Sequence, residues 1–373
     1  MHVHLIDTSR ARDVQRFVRF PFELYRTCPQ WVPPLVRDMR LALNPNKHPF
    51  YLHSTASFFV AQNGNETLGR IAVLDNHYYN QYQQCRMAFF SFLDAMDDVQ
   101  VARELFAAAE DWARRRRLNE ISGPRGLLAS DSVGMLVEGF EHRPALGIAY
   151  NYPYYENLVL QNGFSKFCDN FSGYLPGNHQ LEPRLYQIAE RVRERRGFWI
   201  KSFTSRTEMV TWVSQAVDVI NEAFSSFGRE HFPVPREEVD FASKAIVDVA
   251  DPRLVKLVMK DQEIAGFIFS YHDISAALQK SQGQIWPIGW WYLLTEARRT
   301  KWVNINGLGL LPKYQGLGAN AVLYTALADT LYPFGFEHAD VVAVDETNFN
   351  SRSDMETMGV KWYKRHRYYT KQL

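Results

Sequence analysis

Two stretches of the chain share one pattern of apolar and polar positions. Phe58 to Val73 reads as strand, polar turn, strand, and Leu254 to Phe269 reads the same way. Each predicts a β-hairpin, and together they form a weak internal repeat. The first hairpin is followed by a strand at Met87–Leu93, a helix from about Val99 to Arg117 and a strand near Glu120–Ser122. Leu175 to Pro183 is rich in breakers and predicts a linker, which puts a domain boundary near residue 178. A charged helix through Arg196 and a strand at Phe198–Ile200 follow. Beyond the second hairpin, the apolar run Gly307–Leu311 passes through a glycine-bearing turn into an amphipathic helix over roughly Gly318–Tyr332. The β-branched run His338–Val344 then predicts a buried strand, a helix ends at Met358-Gly359-Val360, and Trp362–Tyr369 closes the chain. The C-terminal order is β-loop-α-β-α-β.

The glycine-bearing turn has the chemistry of a phosphate cradle. Gly316 and Gly318 lack Cβ atoms, so backbone can approach an anion closely, and the helix that starts there directs unpaired N–H groups and its positive dipole end at it. A P-loop is excluded because no Gly-x-x-x-x-Gly-Lys-Ser/Thr run exists. A dinucleotide loop is excluded because Pro312 follows Gly307-Leu308-Gly309 where the third glycine belongs. The expected ligand group is a pyrophosphate.

Lys313-Tyr314-Gln315-Gly316-Leu317-Gly318 resembles the acyl-CoA loop of the GNAT superfamily of N-acyltransferases, with Lys313 in place of the usual Gln or Arg. Phe20-Pro21-Phe22, Trp31-Val32-Pro33-Pro34, Leu136–Phe140, Tyr150–Tyr155 and Pro287–Trp290 extend the resemblance to bacterial tandem GNAT-like proteins of about this length. The resemblance implies an α+β (mixed α/β) fold of two tandem GNAT domains, each a mixed, mostly antiparallel sheet flanked by helices. Residues 1–178 would be a degenerate copy and 179–373 the copy with the acyl-CoA loop. Acyl-CoA or acetyl-CoA would be the cosubstrate, held by Leu310, Leu311, Lys313, Tyr314, Gln315, Gly316, Leu317, Gly318, Ala319 and Asn320. Asn348 or Asn350 would contact the pantetheine arm, an ordinary helix cap being the other reading. At the corresponding turn of the first copy stands Asp94-Ala95-Met96-Asp97-Asp98-Val99. Three carboxylates repel a pyrophosphate and occupy the donors it needs, so that copy is expected to have lost CoA binding.

Acyl transfer to an amine needs a base, a donor for the oxyanion and an acid for the thiolate. Many superfamily members keep a Glu on the splayed strand and a Tyr on the last helix, whereas this chain has Asn304 and Asn306 on the strand and no Tyr in the helix after Asn348. The candidate bases are Asp345, Glu346, His272 and Glu138, the last reaching across from the first domain, and Tyr363 is the candidate thiolate acid. Two segments bear on the acceptor. Trp286, Trp290 and Trp291 crowd a short span broken by Pro287 and Gly289. They line a tunnel for a long acyl chain or lipidic amine, dip into a membrane interface, or pack as core. The glycine-punctuated loop Ser130–Glu141 leads to Tyr150, Tyr152, Tyr154 and Tyr155, which form a substrate-binding surface or pack at the domain interface.

Composition narrows the partners. Forty-two basic and 41 acidic residues leave a net charge of +1, so no nucleic-acid partner is expected, and Arg114–Arg117 reads as the cationic end of a helix. Three scattered cysteines without Cys-x-x-Cys spacing argue against a disulfide framework and a zinc site, and no metal is expected. His2 and His4 read as one face of an N-terminal strand. The N-terminus lacks an apolar core of signal-peptide length, which makes cytoplasm the default, with peripheral contact at the inner membrane left open. The expected function is acyl-CoA-dependent transfer to an amine acceptor such as a long-chain or sphingoid-type base, by a monomer or a homodimer. The alternatives are a small-molecule or peptide N-acetyltransferase using acetyl-CoA and a non-catalytic CoA-binding protein.

Overall fold

Each of these strand patterns is extended in the computed structural model, which describes residues 1–129, 131, 134–224, 232–241 and 250–373. The chain forms two compact units, and neither is a simple half of the sequence. Unit 1 comprises Met1–Asn170, Ser275–Leu294 and Lys364–Leu373, and unit 2 comprises Phe171–Ile274 and Thr295–Tyr363.

In unit 1, β1 (His2–Leu5), β2 (Thr55–Asn63), β3 (Glu66–Asp75), β4 (Met87–Ala95) and β5 (Glu120–Gly123) lie side by side in sequence order. Neighbours are antiparallel except β4 and β5, which run parallel over Met87↔Glu120 to Phe89↔Ser122. The helix between those two strands, Val99–Arg115, buries Val101, Ala102, Leu105, Phe106, Ala109, Trp112 and Ala113 against the sheet, the spacing of one helical face. Asp98 caps its start by accepting from the Gln100 N–H at 2.7 Å, and Arg114 and Arg115 occupy its last turn. Beyond β5 come β6 (Met135–Glu138) and β7 (Ser165–Pro176). The strand that completes this sheet comes from the end of the chain. In β13 (Lys361–Gln372), Tyr369–Gln372 pair with β5 and Arg365–Arg367 pair with β6. The segment 275–294 also packs in unit 1, where the Gln279 amide donates to the Pro29 and Trp31 carbonyls at 2.8 and 3.0 Å.

Unit 2 repeats the arrangement with β8 (Phe198–Ser202), β9 (Val255–Lys260), β10 (Glu263–His272), β11 (Trp302–Leu310) and β12 (His338–Asp345), in the order β12-β11-β10-β9-β8. Only β11 and β12 are parallel, again the pair that brackets a helix. Numbered in this unit, α1 (Pro183–Arg196), α2 (Ala319–Leu331) and α3 (Phe349–Thr357) give Ala189, Val192, Val322, Leu323, Leu327 and Met355 to a core that also takes Val258, Ala265, Ile268, Val341 and Val344 from the sheet.

Both units carry the same irregularity at the same place. Phe92 and Leu93 of β4 stand opposite the single residue Ile71, and Asn306 and Gly307 of β11 stand opposite Phe269. Each extra residue forms a β-bulge, and each bulge puts a residue in the left-handed region, Phe92 at φ 47° and Gly307 at φ 91°.

Candidate functional site

The site of unit 2 begins where two strands part. β11 and β12 pair only from Trp302↔His338 to Ile305↔Val341, although β11 continues to Leu310 and β12 to Asp345. The bulge at Asn306 and Gly307 turns β11 away just beyond the last pair, leaving a fork between the strands. β11 stays tied to β10 past this point, because the Leu311 N–H donates to the Ala265 carbonyl at 2.9 Å.

The arm of the fork formed by β11 runs through a short turn at Pro312–Tyr314 into the glycine loop. Gly316 and Gly318 have φ of 70° and 82°, and Gly318 is the N-cap of α2. A glycine cap has no side-chain oxygen, so the Gly318 carbonyl takes the Ala321 N–H at 3.1 Å but no capping side chain occupies the first turn, which carries no acidic residue. A Cβ at Gly316 would meet nothing within 4 Å, whereas one at Gly318 would come within 2.8 Å of Val192 on α1. The cradle therefore fits an anionic group such as a pyrophosphate. Lys313 Nζ and Tyr314 Oη both engage Glu263, at 2.5 and 2.6 Å, and the hydrogen bond with Glu263 raises the Lys313 pKa while it lowers that of the carboxylate. Gln315 turns back to the Leu310 carbonyl at 3.2 Å, Ala319 is buried, and Asn320 reaches Asp354 on α3 at 2.6 Å. Arg196, at the end of α1, donates to the Leu317 carbonyl at 2.9 Å. This exposed guanidinium sits against the loop, and its only trace in the sequence is a run of basic residues in the last turn of α1. Asn348 caps α3 by accepting from the Ser351 N–H at 3.1 Å, and Asn350 is exposed in the first turn.

A buried polar cluster lies at the base of the fork. Asn304 and Asp340 are register partners across β11 and β12 and are 0% and 1% exposed. Asn304 donates to Asp273 at 3.3 Å, and Tyr363 Oη donates to Asp340 Oδ2 at 2.7 Å. Tyr363 Oη is also 3.4 Å from His338 Nε2, whose ring lies between Trp302 at 4.0 Å and Tyr174 at 5.1 Å. Tyr271, the register partner of Asn304 on β10, is pushed up to about 12 by burial, against a hydrogen bond with Asn306. Because side chains alternate along a strand, Trp302 and Asn304, His338 and Asp340, and Tyr271 and Asp273 share one face of the sheet. Tyr363 was among the candidates from sequence. Asp340 and His338 were not, and the only signal was two titratable residues at alternate positions in a β-branched run.

The other candidates are placed elsewhere or held by other groups. Asp345 ends β12 and accepts from the Thr347 N–H and Oγ1 at 2.6 and 2.5 Å, the geometry of a turn cap, with half-buried Glu346 beside it. His272 is the partner of Val303 and faces the opposite side of the sheet from Asp340, against Phe334 and Phe336. Burial lowers its pKa, and Asp251, 3.5 Å away, opposes that shift. Glu138, at the end of β6 in unit 1, is paired with Arg365.

Unit 1 also has a fork, where β4 and β5 stop pairing after Phe89 and Ser122, but its own side chains fill the strand end. Tyr155 Oη accepts from the Ala95 N–H at 3.1 Å, and Tyr154 Oη donates to the Ala95 carbonyl at 2.8 Å. Asp94 is held by Arg70 at 2.7 Å and by Tyr25 at 3.0 Å. Tyr150 and Tyr152 donate to the carbonyls of Phe140 and Leu24 at 3.1 and 3.3 Å. All four tyrosine hydroxyls are thus engaged by hydrogen bonds within unit 1. Ser130, Ser132 and Val133 of the neighbouring loop lie outside the described residues. Trp286, Trp290 and Trp291 stand exposed on unit 1.

No family model matches the chain. Protein YghO of Escherichia coli (strain K12) is 28% identical over 374 residues, 97% of this chain and 93% of that protein. The bacterial ceramide synthase of Caulobacter vibrioides (strain NA1000 / CB15N) is 27% identical over 380 residues, 99% of this chain and 97% of that protein. Among solved structures, a tandem GNAT protein from the clavulanic acid biosynthesis pathway is similar with a TM-score of 0.58 at 12% identity, covering 100% of this chain and 98% of the other. A GCN5-related N-acetyltransferase from Sphaerobacter thermophilus gives 0.52 at 13% identity, covering 100% and 95%. The repeated bulge, the repeated fork and the likeness over the full length agree, and the chain has the tandem GNAT fold.

Proposed function

We propose that the chain is an acyl-CoA-dependent N-acyltransferase acting on a long-chain amine, with unit 2 as the catalytic copy. The observation that carries this reading is the fork between β11 and β12 opening beside an uncapped glycine start of α2. One suits an extended thioester arm, the other an anionic head. The relative that is a ceramide synthase supports the acceptor class, since a ceramide is the amide of a fatty acid and a long-chain amino alcohol.

Acyl-CoA would supply an activated carbonyl and a thiolate leaving group. The first-turn N–H groups of α2, with Arg196 and Lys313 nearby, would hold its pyrophosphate, and the strand edge from Gly307 to Leu310 would line the arm. As the amine nitrogen bonds to the carbonyl carbon and the C–S bond breaks, one proton leaves the nitrogen and one joins the sulfur. We assign the acceptance of the first proton to Asp340 at the fork base, with Tyr363 hydrogen-bonded to it and His338 adjacent.

Calorimetric titration with CoA, acetyl-CoA and palmitoyl-CoA, together with a free-thiol assay on a sphingoid-type base and on a short amine, tests this reading. The expected outcome is tighter binding of palmitoyl-CoA, thiol release with the long-chain amine, and loss of all binding in Gly316→Glu. Equal binding with thiol release only on the short amine would replace the acceptor class, and no binding by the native chain would overturn the reading.

A further inference from the structure

The aromatic segment that sequence patterning left open between tunnel, membrane interface and core stands out from the surface. Trp286, Ile288, Trp290, Trp291 and Leu294 are 75, 56, 41, 54 and 55% exposed, five large apolar side chains within nine residues. The other exposed large apolar residues among those described are scattered along the chain. Single exposed residues of this kind are ordinary, but a contiguous group is not.

The display is built into the backbone. The Trp290 N–H donates to the Ile285 carbonyl at 2.8 Å and its indole N–H to the Pro287 carbonyl at 3.0 Å, so these polar groups are satisfied locally. Gly289 is buried where a Cβ would collide with the Gln284 carbonyl, which lets the turn close and start the helix Gly289–Arg299. The Val36 N–H donates to the Gly283 carbonyl at 2.9 Å and anchors the base of the segment in unit 1. At helical spacing, Trp290, Leu294 and Arg298 fall on one stripe with Trp291 beside it, an arc of about 100°.

Cations border this apolar face. Arg298 and Arg299 are exposed in the last turn of the helix, and Lys280 is exposed just before the segment, while no salt bridge to these three is formed among the described residues. Indole rings flanked by Arg and Lys suit the boundary between headgroups and acyl chains, where the ring body is buried and the polar edge and charges stay hydrated. No helix among the described residues is long and apolar enough to cross a membrane, so contact through this face would be in the plane of the surface.

We propose that this face docks the chain on a bilayer that carries anionic headgroups. Trp286, Ile288, Trp290, Trp291 and Leu294 enter the interface, and Lys280, Arg298 and Arg299 meet the headgroups. The proposal stands apart from the catalytic reading. If both hold, docking explains how a long-chain amine reaches the protein without crossing water.

Vesicle co-sedimentation without acyl-CoA tests docking separately from catalysis. The probes are phosphatidylcholine vesicles, alone or with about a third phosphatidylglycerol. The native chain is expected to partition to the anionic vesicles with a blue shift of its tryptophan fluorescence. The triple variant Trp286→Ser, Trp290→Ser, Trp291→Ser is expected to bind at least about tenfold more weakly while its thermal melting stays cooperative. Lys280→Gln, Arg298→Gln, Arg299→Gln, which leaves the rings in place, should erase the preference for anionic over neutral vesicles. Three results would overturn the proposal: no native binding to either vesicle, full binding by the tryptophan variant, or a concentration-dependent dimer that only the tryptophan variant loses, which would assign the face to a second copy.

Discussion

A buried carboxylate costs several kcal/mol unless its oxygens find donors, and Asp340, at 1% exposure beside the last strand pair before the fork, takes one from Tyr363. Stability alone gives little reason for an acid at that point of a β-branched strand, so the residue is best tested as chemistry. Asp340→Asn keeps the shape and an oxygen that can accept from Tyr363, but it removes the basic site. It should lower kcat by about two orders of magnitude and leave KM for acyl-CoA within about threefold. Tyr363→Phe should lower kcat by less, about tenfold, because it removes one hydrogen bond to the Asp340 carboxyl and leaves the carboxyl itself in place. Steady-state kinetics with a fixed long-chain amine checks both. A native kcat in Asp340→Asn would remove Asp340 from the mechanism, and Asp345→Asn and Glu346→Gln would become the variants to measure.

The loop before α2 separates two glycines that look alike in sequence. Gly316 needs only its backbone angle, since a Cβ there meets open space, so Gly316→Ala should cost about 1 kcal/mol and weaken CoA binding by less than about tenfold. Gly318 needs both its angle and its missing side chain, because a Cβ at φ 82° would also press Val192 on α1. Gly318→Ala should therefore displace the first turn of α2 and weaken binding by more than about tenfold, as calorimetry would read it. Equal losses from the two variants would mean that packing on α1 does not set the cradle. The same element shows what the sequence could reveal. An apolar strand, two glycines and a helix are a local pattern and announced the loop, as the strand-turn-strand patterns of Phe58–Val73 and Leu254–Phe269 announced the paired hairpins. The fork was expected only through the superfamily resemblance, as a splayed strand, and not from the residues themselves, because it depends on where pairing between two distant strands stops. Phe92 gave no hint of its bulge, whereas Gly307 in the matching bulge could be suspected from its type. The tyrosines of unit 1 were equally ambiguous, since nothing local says that Tyr154 and Tyr155 will take the N–H and carbonyl of Ala95. The tryptophans show the limit most plainly, because an apolar run has the same pattern whether it ends in a core or on a surface.

At the level of the whole chain, Lys364–Leu373 belong to unit 1, so that unit draws its sheet from segments far apart in the sequence. Tyr369 is fully buried in its core, and Arg367 binds Asp169, itself 1% exposed, through Nε at 2.7 Å and Nη2 at 3.0 Å. Burial raises the Asp169 pKa, but hydrogen bonds from Arg367 and Lys166 outweigh it, and the carboxyl ends below its ordinary value. A carboxylate depressed in this way stabilises the fold above about pH 4 and loses that contribution as pH falls through its lowered pKa. Truncation after Tyr363 removes the strand partner of β5 and β6 and strips Asp169 of its guanidinium. Hydrogen exchange should then rise across Glu120–Gly123, Met135–Glu138 and β4, while β9 and β10 of unit 2 keep their protection. Arg367→Met removes the guanidinium that binds Asp169 and Glu156 while Lys166 and Arg365 stay on Asp169. It should cost about 1–3 kcal/mol near neutral pH and less in acid, where the weakened carboxylate protonates more readily, and Asp169→Asn added to it should recover part of the loss. Unchanged protection in the truncated chain would mean that unit 1 closes its sheet without the C-terminal strand. The expected result would instead make Lys364–Leu373 a folding requirement for unit 1, the unit whose own fork is filled.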